Sequence, residues 1–140
     1  MQQSNYTFTP HDLRIGNVVN KLIPEDGLNS HLIQFDDLGW LTQWPKNFNA
    51  IFSPIPITVE MLVQELGYKY ESASEYYYYE ATMKYVIKFH GGKFYIGIMV
   101  DLGNDEINCL CIEDFTYLHE LQNLHYGFTR EILTLKSKEK

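Results

Sequence analysis

The chain has 140 residues, 45% of them hydrophobic, enough to bury one substantial core, and nothing in its length calls for a second domain. Eleven Tyr and eight Phe are a rich aromatic supply, which suits half-buried strands and equally suits surface rings that bind. A net charge of −7 speaks against general nucleic-acid binding, which needs a positive field to collect phosphates, but leaves room for a small anion held by a few local donors.

Met1 to Asn5 is polar and lacks the basic-then-apolar pattern of a secretory signal. No run approaches the roughly 18 apolar residues that a membrane span requires, so the expected setting is the cytoplasm. Residues to Pro10 read as a loose arm, and Asp12 to Ile23 as a turn into a first strand, with Gly16 marking a bulge or a close backbone approach. Pro24-Glu25-Asp26-Gly27 is turn chemistry, and His31 to Phe35 reads as a second strand. From Asp36 to Asn49 two Asp, Gly39, Pro45 and two Trp predict a loop-rich stretch with a short strand near Trp40. Trp40 and Trp44 are expected to lid one end of the core or to form a ligand platform.

The prolines at 54 and 56 force an extended path, after which Thr58 is a natural N-cap for a short helix over 58–66 that Gly67 ends. Val59, Leu62, Val63 and Leu66 fall on its apolar side. Beyond Tyr68 the period changes to two. Tyr68–Glu71 and Tyr76–Glu80 are expected to pair around Ser72-Ala73-Ser74. Met83, Tyr85, Ile87 and Phe89 alternate with Lys84, Val86, Lys88 and His90, Gly91-Gly92 supplies a two-residue turn, and Phe94 to Val100 alternates on the return. Asp101 to Asp105 predicts a further turn and Ile107 to Ile112 a last strand. Its Cys109 and Cys111 share one face of one segment, a poor geometry for a disulfide, and read as small buried hydrophobes.

The final element is a long helix over about 115–127, with Asp114 expected as N-cap. At about 100° per residue, Tyr117, Leu118, Leu121, Leu124 and Phe128 gather on a core side. Phe115, His119, Gln122, Asn123 and Tyr126 form an uncharged second stripe with the chemistry of an oligomer or partner interface. The predicted fold is α+β: an antiparallel, barrel-like sheet of five to seven strands with one short and one long helix, as a single domain over 1–135 with a charged tail over 136–140.

Catalytic and metal motifs are missing from the sequence. His119 and His125 stand six apart, about 240° around a helix, and cannot share a metal; Cys109 and Cys111 have no second pair. Gly91-Gly92 leads into a strand rather than a phosphate-binding helix, and adjacent acids such as Asp36-Asp37 sit where solvated or capping roles are the default. Neither a metal nor a cofactor is expected. One constellation carries chemistry: Lys84, Lys88 and His90 on one strand face, with Lys93 opening the next strand, form a basic strip in an acidic chain. It either discourages edge pairing or binds a nucleotide-like anion, with Tyr77 or Tyr79 stacking on a base.

Three blocks carry a resemblance: Leu13-Arg14-Ile15-Gly16-Asn17, Pro54-Ile55-Pro56-Ile57-Thr58, and Leu118-His119-Glu120-Leu121-Gln122-Asn123-Leu124 running on to Glu131-Ile132-Leu133. In order and spacing the chain resembles a family of small uncharacterised proteins of bacteria and their phages. Glu120 stands where that family often has Gln, and Arg130 where it often has Gly. The resemblance implies a phage or mobile-element setting and brings no activity with it. The expected function is a non-enzymatic binding protein, homo-oligomeric through the second stripe, that holds a small anionic host signal in anti-defence. A module that binds and inhibits a host protein is the alternative, and a small enzyme the third.

Overall fold

The computed structural model describes residues 6–73, 75–80, 82–103 and 106–135. Two compact units emerge, one made of the chain to Pro56 together with Tyr117–Leu124, the other of Ile57–Thr116 together with the chain from His125.

In the first unit, β1 (Val18–Ile23) and β2 (Gly27–Leu32) form an antiparallel hairpin closed by the 24–26 turn, with Leu22 opposite Leu28 and Val18 opposite Leu32. The two-residue strand β3 (Phe52–Ser53) pairs with the other edge of β1. Between them lie two helices, α1 (Phe35–Gln43) and α2 (Pro45–Ile51), where the sequence predicted loops and a strand at Trp40. The signals taken for breakers are helix-compatible. Asp37 accepts the Gln34 N–H at 2.8 Å at the start of α1, Gly39 is exposed, and Pro45 opens α2 at a position whose N–H needs no partner.

Phe8, Leu13, Val19, Ile33, Leu41, Phe48 and Phe52 make this unit's core. Trp40 packs edge-on against Phe48 and Phe52, whereas Trp44 is exposed, so only the first tryptophan covers the core. The N-terminal segment is not a loose arm from Tyr6 onward. Phe8 is buried, and Asn49 grips its backbone twice, accepting the Phe8 N–H at 2.7 Å and donating to the Phe8 carbonyl at 3.1 Å.

In the second unit Thr58 caps the short helix as expected: its Oγ1 accepts the Met61 N–H at 3.1 Å, and Gly67 follows with φ +82°. The segment Met61–Glu65, here α3, is a wide π-type turn closed by Leu66 N–H on the Met61 carbonyl. Leu62 and Leu66 are buried, but Val63 is exposed because the wider turn rotates it off the apolar side. Five antiparallel strands follow in meander order: β4 (Lys69–Glu71), β5 (Tyr76–Tyr79), β6 (Thr82–His90), β7 (Lys93–Gly103) and β8 (Glu106–Phe115).

The β6–β7 hairpin has the expected register, Phe89 opposite Phe94 and His90 opposite Lys93, and Gly91 and Gly92 both take positive φ, as its two-residue turn demands. Strand β8 runs on through Phe115, so Asp114 lies in a strand and is not a helix cap. The turn expected over 101–105 lies partly outside the described residues, as do the arm before Tyr6 and the tail over 136–140.

The class is α+β with antiparallel sheets of three and five strands, and neither closes into the expected barrel. The C-terminal helix α4 (Leu118–Thr129) starts three residues later than predicted. Glu120 sets that start by accepting the Tyr117 N–H at 3.0 Å. Beyond α4, Arg130 holds φ +63° while its N–H bonds the Tyr126 carbonyl, a left-handed helix stop that glycine makes without strain.

Candidate functional site

The second unit contains a cavity of about 550 Å³, within the size range of small-molecule sites. Two short strands supply its first aromatic wall. Tyr70 on β4 stands opposite Tyr77 on β5 in the antiparallel pairing of the two strands, with ring centroids 4.8 Å apart. Strand β6 contributes Lys88, Phe89 and His90 from its last three positions. Tyr95, the cross-strand partner of Lys88, and Cys111 on β8 complete the lining with Glu75.

The charges in this lining are arranged unusually. Lys88 is half-buried, and among the described residues it makes no ion pair. The other paired lysines are exposed: Lys69 pairs with Glu80, and Lys93 with Asp114 at 3.2 Å. Glu75 lines the same cavity without joining Lys88. Its backbone has φ +56°, a left-handed conformation that a glutamate adopts at a cost.

Of the residues singled out from sequence, Lys88, His90 and Tyr77 meet at this cavity. The other three do not line it. Lys84 is exposed elsewhere on β6, Lys93 is paired with Asp114, and Tyr79 packs against Tyr68 and His125 at 5.2 Å each. Sequence reasoning missed Tyr70, Glu75, Phe89, Tyr95 and Cys111. The pairing of the two tyrosine segments was legible but not its register, since a run of tyrosines fits either, and the β7 and β8 contributions depend on long-range register. Cys111 is an exposed free thiol, not the buried hydrophobe expected.

The second stripe of the long helix is largely turned inward on its own chain. In the first unit, Gln122 is buried; its Oε1 accepts the Val18 N–H at 2.8 Å and its Nε2 donates to the Gly16 carbonyl at 3.3 Å. Asn123 donates to the Asp12 carbonyl at 2.8 Å and accepts from Asn17 Nδ2 at 3.0 Å. Gly16 holds φ +97°, a conformation that glycine adopts without a Cβ penalty. His119 is buried against Tyr6 and Phe8; its Nε2 meets the Tyr6 hydroxyl at 3.0 Å, and its Nδ1 has no hydrogen-bond partner among the described residues. Burial pushes its pKa down, opposed by Glu120 and Asp12.

In the second unit Phe115 is buried and stacks on Phe94, and Tyr126 is half-buried. A buried polar chain runs from the Tyr68 hydroxyl through the Tyr85 hydroxyl to His125 Nδ1, the last link 2.6 Å long. Burial raises both tyrosine pKa values and lowers that of His125.

Among the described residues no three His, Cys, Asp or Glu side chains gather as metal ligands would, and no helix is long and apolar enough to cross a membrane. No family model, curated protein or solved structure matches this chain.

Proposed function

We propose that this protein is a non-enzymatic binding protein whose second unit holds a small anionic, nucleotide-like ligand in the cavity beside Lys88. The observation that carries the reading is the half-buried residue Lys88, which has no acid partner among the described residues and lies in a lining rich in aromatic rings. A lysine without an acid partner in an acidic chain is offset most directly by an anion from outside, and the exposed rings of Tyr70 and Phe89 offer a planar group a surface to stack on. His90 adds a second donor for a phosphate. A phage or mobile-element protein that sequesters a host nucleotide signal would have this chemistry, and that setting rests on the sequence resemblance alone.

The test is retention from a cell extract: the protein is incubated, washed, denatured by heat and its released small molecules identified by mass spectrometry. A phosphate-bearing compound released unaltered is the expected result, with about tenfold less from Lys88→Gln. Equal retention by wild type and Lys88→Gln rejects the cavity as the site, and release of a chemically altered compound turns the reading toward catalysis.

A protein-interaction module is the second reading, and the β1–β2 hairpin favours it. Leu22 on β1 and Leu28 and Leu32 on β2 lie on one hairpin face and are each about half exposed, and β2 carries no Lys, Arg, Asp or Glu. Under this reading Leu28→Asp with Leu32→Asp abolishes capture of a protein from the extract and leaves small-molecule retention unchanged.

A further inference from the structure

The cavity contains two opposite charges that do not neutralise each other. Glu75 and Lys88 both line it, yet among the described residues they form no ion pair, and the Glu75 carboxylate has no hydrogen-bond partner. A ligand reaching both must bring an anion to Lys88 and hydrogen-bond donors to Glu75, with a flat body for the aromatic rings of the lining.

Resting on the cavity being the ligand site, we propose that Glu75 is a specificity residue that selects guanine among nucleobases. An ionised carboxylate only accepts hydrogen bonds. Guanine alone among the common bases presents two adjacent donors on its pairing edge, N1–H and the N2 amino group, which two carboxylate oxygens can take side by side. Adenine sets an N1 lone pair beside its N6 amino group, and that lone pair faces the carboxylate with repulsion. The phosphate then lies toward Lys88 and His90, and the base against Tyr70 or Phe89. Glu75 holds φ +56°, where a glycine sits with less strain, so Glu75→Gly removes the carboxylate without straining the backbone.

Calorimetric titration of the full chain with GMP, IMP, AMP and inorganic phosphate tests this. GMP is expected to bind about tenfold more tightly than AMP, with IMP, which lacks the N2 amino group, in between. Glu75→Gln, whose amide both donates and accepts, should bring GMP and AMP within about threefold by weakening GMP. Glu75→Gly should lose the same preference while keeping or raising the melting temperature, so that lost selectivity is not lost folding. Equal affinity of the wild type for GMP and AMP, both lost in Lys88→Gln, overturns the guanine assignment and leaves the cavity reading standing. Binding of phosphate alone as tightly as GMP also overturns it, and no binding of any of the four overturns both.

Discussion

Gln122 and Val18, 104 positions apart, are joined by a buried hydrogen bond of 2.8 Å from the Val18 backbone N–H to the Gln122 side-chain oxygen. The same amide donates to the Gly16 carbonyl, so one glutamine satisfies both polarities of the backbone as it enters β1. Gln122→Leu keeps the volume but leaves two backbone groups without partners. It should destabilise the first unit by about 2–4 kcal/mol, read from urea unfolding. A loss below about 0.5 kcal/mol would mean that water replaces the amide and that the glutamine is free for another role.

Stability should fall as pH drops below about 6.5. Burial lowers the folded-state pKa of His119 and of His125 below the ordinary value of 6.5. Above that value both histidines are neutral, folded or unfolded, and they contribute no pH dependence. Below it the unfolded chain takes up protons that the folded chain resists. Stability is lost by at most about 1.4 kcal/mol per pH unit for each histidine, until pH passes the lowered folded values. Urea midpoints measured between pH 7.5 and 5 check the slope, and His125→Gln should make it shallower. A flat profile from pH 6.5 to 5.5 would count against neutral burial.

The end of α4 offers a stabilising substitution. Arg130 holds φ +63° where a glycine carries no Cβ penalty, so Arg130→Gly should raise stability by about 0.5–1 kcal/mol and Arg130→Ala should not. Thermal unfolding of the two variants side by side decides it; equal melting temperatures would show that the backbone conformation there is unstrained. This is also the position at which the resembled family often carries glycine.

Several elements were legible because the information that specifies them is local. The β6–β7 hairpin follows from strict period-two alternation and a Gly91-Gly92 turn, and the Thr58 cap from a hydroxyl three residues ahead of the N–H that it accepts. The two helices between β2 and β3 were not legible. Gly39 and Pro45 look like interruptions until the packing of Leu41 and Phe48 shows which face is buried. The candidate site was half visible: Lys88, His90 and Tyr77 stand near one another along the chain, but Tyr95 and Cys111 reach the cavity through pairings that cross the sheet.

By itself, then, the sequence determined the α+β class, the tyrosine-rich hairpins and the basic character of β6, since side-chain alternation and turn residues act over a few positions. Only the tertiary structure decided what the stripe on α4 touches and that Lys88, unlike Lys93, has no acid partner among the described residues. An amide or ammonium group is equally at home in water, on a partner or on the chain's own backbone. What selects among these is the distant segment brought beside it, such as Gly16 at Gln122 or Asp114 at Lys93.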